Sequence, residues 1–356
     1  MPTSKDIIKM GITVSSASVT RAGFDSMLLV GDETMVDPTA TGPSGTGTFD
    51  EHMVFRYTTA EQVGPEIVDG HLRDMITIAF AQTPSVSNVY VSYVDTDGSG
   101  SGILGSDLVS IALNESNWIG YCSVFEEAAD VTAQAAQLLA MGKYYSTLTS
   151  SSTTTATYND YCDVWKTEIP YAEWDQNTST IGRWCNVAAL SSYLSKTQGS
   201  YNPAFKGLQS ITPAVYTATE EGVLRSSYIN QYSPIGGQNV TWDGKNATGK
   251  GYIDTFLGAI FLQVRLTEDL MNLMIQTEKL PYTDKGIANV GAVIDSRLRQ
   301  MTVDGYLDSS RPYQINLPRA AQLTDRASRN LPNVSFIAYT TGAINTIEIQ
   351  GFIDAT

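Results

Sequence analysis

Residues 244–251, Gly-Lys-Asn-Ala-Thr-Gly-Lys-Gly, place two glycines and a lysine at the spacing of a phosphate-binding loop, just before an apolar helical pattern. Such a loop cradles phosphate oxygens with backbone amides and the lysine, while a hydroxyl on the next residue holds magnesium. Here that residue is Gly251, and only the short run 239–242 precedes the loop as a strand, so a flexible turn is the expectation. Asp95-Thr96-Asp97-Gly98-Ser99-Gly100 opens like a calcium loop, yet its twelfth position, where a bidentate glutamate belongs, is Ser106. A surface turn after a strand is expected there instead.

Nucleophilic catalysis needs a base beside a serine or cysteine. The chain has two histidines, His52 and His71, and neither accompanies a Gly-x-Ser-x-Gly elbow. Glu126-Glu127 and Glu220-Glu221 are adjacent in sequence, and neighbours on a helix point in different directions, so neither pair makes an acid–base dyad by spacing. The three cysteines, Cys122, Cys162 and Cys185, show no Cys-x-x-Cys spacing, which disfavours zinc and points to buried, reduced thiols. No catalytic, cofactor-binding or metal-binding set emerges, and no cofactor is expected.

The elements around these residues set the fold class. The chain has 356 residues and 42% apolar residues, enough for one large or two ordinary domains. Its opening, Met-Pro-Thr-Ser-Lys-Asp, lacks the pattern of a secretory leader, and no apolar run approaches the roughly 20 residues that span a bilayer. A soluble protein made in the cytoplasm is the expectation. Net charge is −15, with 13 basic and 26 acidic side chains in residues 1–250 and 9 and 11 in residues 251–356. Such an acidic body argues against wrapping nucleic acid. Residues 285–329, with seven basic and four acidic side chains, form a locally basic stretch suited to an acidic partner.

Hydrophobic periodicity predicts a helix over 66–81, strands over 88–94 and 118–124, a helix over 126–141, a strand over 143–148, a short helix over 160–167, a strand over 169–174 and a helix over 181–194. Alternating strand and helix is the pattern of a Rossmann-like α/β layer, placed here at 21–200. A joining region follows: a strand-like run over 211–216, a helix over 219–228 capped by Thr219 or Glu220, a brief strand over 229–232 and a Gly/Asn-rich turn region over 233–251. Two helices then dominate, over 252–278 and from a Thr283 or Asp284 cap to Gly305. A strand over 333–339, a Thr341-Gly342 turn and an alternating strand over 344–353 close the chain. At the other end, Ile8, Met10, Ile12 and Val14 lie in a β-prone run.

The runs GYIDTFLGAIFLQVRLTEDLMNLMIQTEKLPYTDKGIANVGAVIDSRL (251–298), RPYQINLPRAAQLTDRASRNLP (311–332) and TTGAINTIEIQGFI (340–353) together resemble the compact tail-sheath family of contractile-tailed bacteriophages, first known as a phage family of unknown function. The likeness is strongest over 212–353 and lies in the order of long helix, LPYTDKGI connection, second helix and terminal strand. It implies an α/β region (21–200), a sheath-like C-terminal domain (201–343), and arms at 1–20 and 344–356 exchanged as strands between subunits through Ile8, Met10, Ile12, Val14, Ile344, Ile347, Ile349 and Ile353. It also implies a structural subunit and no enzyme, built into hexameric rings stacked as a helical polymer in the virion and assembled in the host cytoplasm. The implied partners are further copies of the chain, a tail tube protein, and baseplate and tail terminator proteins, with no direct nucleic acid and no membrane insertion. The position and charge of Arg297 and Arg299 on the second helix suggest a face toward the tube. The alternatives are an α/β nucleotide-binding enzyme, or another baseplate or tail structural protein.

Overall fold

The computed structural model describes residues 23–43, 47–68, 70–96, 102, 105–153, 156–168, 181–320, 329–348 and 350. Its centre is strand β1 (Ser26–Asp32), in which all seven residues are buried. β1 pairs in parallel with β3 (Asn88–Val94) on one side and with β4 (Gly120–Ser123) on the other. β5 (Tyr144–Thr149) and β6 (Cys162–Lys166) continue the parallel set, and β2 (Phe55–Tyr57) adds an antiparallel edge on β3. The order β2-β3-β1-β4-β5-β6 reverses direction at β1, the mark of a doubly wound sheet.

Helices α1 (His71–Ala81), α2 (Gly105–Asn114), α3 (Ala128–Met141) and α4 (Cys185–Leu194) cover the sheet. A side chain at Gly120 would reach within 2.6 Å of Leu194 on α4, whereas the Tyr121 hydroxyl donates to Gln134 on α3 at 2.8 Å. Consecutive strand residues face opposite sides, so α3 and α4 lie on opposite faces of the sheet. α1 packs on α4, and α2 packs on α3, completing three layers. Burial on both faces explains why β1 reads Ser-Met-Leu-Leu-Val-Gly-Asp, with no polar alternation.

The second half opens with α5 (Ala218–Ser226), begun by a capping box between Thr217 and Glu220. A hairpin follows, β7 (Gln231–Ile235) and β8 (Gln238–Trp242), turned by Gly236 and Gly237 at φ +60° and +81°. Both residues sit in the left-handed region, which suits a tight hairpin loop. Helices α6 (Ile253–Gln276) and α7 (Asp284–Val303) then pack together, α7 starting at a Thr283 cap. β9 (Gln314–Asn316) and β10 (Ser335–Ile337) form a separate two-stranded antiparallel sheet.

α6 belongs to two cores. Ile253, Leu257 and Ile260 join the core of the large sheet, and Phe24, just before β1, sets its ring edge-on to Phe261 at 4.9 Å. Leu262 joins Val290, Ile294, Leu298 and Met301 of α7 in a second core, with Leu266, Leu270 and Leu273 beside it. Tyr306 locks the crossing: its ring lies where any side chain at Gly258 would clash, and its hydroxyl donates to the Thr255 carbonyl at 2.7 Å.

Several expectations are corrected. The expected helix over 160–167 is replaced by β6 (Cys162–Lys166), because Cys162 to Lys166 pair in register with Tyr145 to Thr149. The first helix begins at His71 and not at 66, since Gly70 breaks the backbone at φ +147° and Glu66 is buried, accepting from the Tyr57 hydroxyl at 2.8 Å. Residues 211–216 form no strand; Pro213 lacks a donor and Ala214 makes a single backbone bond to Tyr232 at 3.0 Å. The α5 cap is Thr217, two residues before the expected Thr219, and the expected turn region 233–251 contains the β7–β8 hairpin. Residues 341–348 pair with no strand among the described residues, although a strand is expected from 344. Positions 169–174 and 1–20, with Ile8, Met10, Ile12 and Val14, lie outside the described residues, as do Ile349 and Ile353.

Asp163 on β6 is fully buried in the sheet, where the Ser146 hydroxyl and, at 3.2 Å, the Trp165 indole donate to its Oδ1. Burial pushes its carboxyl up to about 7. The folded chain thus holds a proton that the unfolded chain releases near pH 4, so this stabilisation is full below about pH 4 and is lost as pH rises through about 7. Asp163→Asn keeps an acceptor and removes the titration. Its urea midpoint is expected to match wild type at pH 4 and to exceed it at pH 8, by an equivalent of about 4 kcal/mol.

Candidate functional site

The phosphate-loop-like turn is held by side chains of its own chain. The Asn230 Oδ1 accepts from the Gly244 and Lys245 amides at 2.9 and 3.0 Å, and its Nδ2 donates to the Lys245 carbonyl at 2.8 Å. Asn246 accepts from the Gly251 amide at 3.2 Å, and the Thr248 hydroxyl donates to Asp160 at 2.6 Å. The two lysines face carboxylates, Lys245 with Asp243 at 2.8 Å and Lys250 with Asp160 at 3.6 Å. Amides and ammonium groups that would meet a phosphate are thus already engaged, and the turn ties β6 and β7 to the start of α6.

The other chemical candidates separate in the same way. His52 Nε2 lies 3.2 Å from Asp107, and the His52 carbonyl accepts from Asn114 at 2.8 Å, so it fastens the first loop to α2. His71 is buried at the start of α1, edge-on to Trp184 with ring centres 5.5 Å apart. Glu126 is paired with the buried Arg183; burial pushes its carboxyl up while the guanidinium opposes that shift. Glu127 is the N-cap position of α3, Glu220 closes the capping box, and Glu221 faces Arg225 at 3.8 Å. Asp95 donates its amide to Glu51 at 3.2 Å, and 97–101 lie outside the described residues. Among the described residues no group of three or more His, Cys, Asp or Glu is placed to hold a metal ion. The three cysteines are buried and unpaired, and burial pushes the Cys185 thiol up to about 12.

What the surface does offer lies in the second half. Along the outer side of α6, Met271, Met274 and Ile275 are about half exposed, beside an apolar groove of about 470 Å³ between α6 and α7. Among the described residues β9 and β10 form a two-stranded sheet, and Phe336 and Ile337 of β10 are exposed. Ile344 and Ile347 are 80% and 77% exposed. Arg297 is mostly buried against Asp269, 2.6 Å away on α6, whereas Arg299 is 73% exposed and pairs with Asp295 at 2.7 Å. Sequence reasoning placed Met271, Met274, Arg297 and Arg299 on the two long helices and Phe336 and Ile337 on a strand, but it put Ile344 and Ile347 on a strand that the described residues do not form, and it gave no sign of the two-stranded sheet or of the work done by Asn230.

The architecture is a doubly wound α/β body joined through one shared helix to a helix-pair domain with a small sheet. No protein-family profile matches the chain, and no curated protein matches it. Solved structures do. A chain of the anti-feeding prophage (AFP) helical sheath in the contracted state superposes with a TM-score of 0.71 at 12% identity, covering 98% of each chain. A chain of the AFP baseplate gives 0.69, and a chain of an extracellular contractile injection system, the PVC sheath complex in the contracted state, gives 0.68, both at 12% identity and 98% coverage of each chain. The chain has the tail-sheath fold.

Asn230→Ala strips acceptors from two amides and is expected to lower unfolding free energy by about 3 kcal/mol, seen as a lower urea midpoint with unchanged slope.

Proposed function

We propose that this chain is a structural subunit of a contractile tail sheath or related injection particle, and not an enzyme. The observation that carries this reading is the likeness to a helical-sheath chain over 98% of both chains, which takes in the α/β body and the helix-pair domain together. The engaged turn at 244–251 argues against a nucleotide seated there, because Asn230 already holds the Gly244 and Lys245 amides.

In this reading, subunits form rings of six stacked around a tail tube, in contact with baseplate and tail terminator proteins, without binding nucleic acid or entering a membrane. The N-terminal arm (Ile8, Met10, Ile12, Val14) and the C-terminal arm (Ile344, Ile347, Ile349, Ile353) each add a strand to a neighbour's sheet. Among the described residues the β9–β10 sheet has two strands, whose edges suit such pairing, and Ile344 and Ile347 are exposed. Main-chain pairing keeps subunits joined while their bodies rotate. Contraction needs two packings of the lattice that differ by about a few kcal/mol per subunit, summed over many subunits, with no nucleotide or metal. The tube side is assigned to α7, where Arg299 presents the charge and Arg297, held by Asp269, fixes the pairing of the helices.

A baseplate role is the second reading, favoured by the similar fit to an AFP baseplate chain. Negative-stain microscopy separates the two. The purified full chain is expected to form long hollow tubes, and the chain lacking 344–356 none; monomers from both would overturn the sheath reading. Arg299→Glu is expected to reduce sheath loading on tail tubes at low salt, with the difference shrinking above about 0.1 M as charges are screened. Unchanged loading would remove Arg299 from the tube face.

A further inference from the structure

From the structure we infer that Asn345 is the positioning residue that fixes where the C-terminal arm leaves the subunit. This rests on the arm exchange proposed above. Of residues 339–348, Asn345 is the one that is not exposed. Its Oδ1 accepts from Asn202 Nδ2 at 2.8 Å, and its own Nδ2 lies 3.4 Å from the Asp243 carbonyl. Both partners are held in place. Asn202 Oδ1 accepts from the Ala204 amide at 3.0 Å, and Asp243, next to β8, pairs with Lys245 at 2.8 Å.

The stretch before Asn345 is tied down at one further point. The Thr341 amide donates to the Tyr306 carbonyl at 3.0 Å and its hydroxyl to the Gly305 carbonyl at 2.6 Å, after which Gly342 turns the chain at φ +67°. Residues 341–345 thus form a strap pinned at both ends, with a cavity of about 220 Å³ beside its first half, lined in part by Asp254, Thr255 and Tyr306. No described residue after Asn345 hydrogen-bonds to the described body. The amide pair 202–345 is therefore the exit point, and it sits on the loop that links the α/β body to the helix-pair domain.

An arm that must find a neighbour's sheet gains from a fixed starting direction, because the directions it would otherwise sample are lost on pairing. Neutral amide bonds are well suited to setting that direction, since they orient the chain without the desolvation cost of a buried charge.

The test uses the full chain, with Asn345→Ala, Asn202→Ala, the double variant, and the chain ending at 345, all compared in tube formation by negative-stain microscopy and in melting temperature. The expected result is melting close to wild type with tube yield reduced about tenfold in each single variant, and a loss in the double well short of the product of the two, since both remove the 202–345 bond they share. If the chain ending at 345 makes no tubes while both single variants assemble as wild type does, the Asn345 inference is overturned and arm exchange stands. If the chain ending at 345 assembles like wild type, arm exchange itself is overturned, and this inference with it. Additive losses in the double variant would overturn the shared bond.

Discussion

Leu257 and Leu262 lie five residues apart on α6, yet one packs into the core of the large sheet and the other into the core shared with α7. A helix of 24 residues is about 36 Å long, so a single rigid element runs through both halves. Phe24 grips it from the lead into β1, and Tyr306 grips it from the chain leaving α7. The side chains that would be needed to separate the halves are the ones that hold each of them together. The turn at 244–251, Arg297 with Asp269, and the strap at 341–345 all take their positions from the two ends of this helix.

How much of this was legible depends on whether a segment's pattern came from its own periodicity or from its neighbours. α6 and α7 carry long stripes at helical spacing, and their predicted limits lie within two residues of the observed helices. β3 matched at both ends. β1, on which the sheet is centred, went unread because Met27 to Val30 is a bare apolar run, buried on both faces, with no alternation to mark it. The ten residues of α2 were missed as well; they bury Leu108 and Ile111 while Val109 and Leu113 stay exposed, which blurs the stripe. β6 read as a helix because its strand character is imposed by pairing with β5.

The near-motifs carry a related lesson. The spacing at 244–251 fails as a phosphate loop for want of a hydroxyl, but what the loop does instead depends on Asn230 and Asp160, which are remote in sequence. A buried asparagine offering one oxygen to two amides leaves no local signature. The same holds for Asn202 and Asn345, 143 residues apart. Fold class came from pattern, whereas the side chains that replace chemistry with structure needed coordinates.

One consequence of the shared helix concerns how such a chain can change over generations. A module can be swapped between lineages only where few contacts cross its boundary. Here any crossover point between the α/β body and the helix-pair domain falls on or beside α6, and would pair one parent's sheet with the other parent's α7 across a single set of side chains. A substitution on α6 must therefore be absorbed by neighbours on both sides at once.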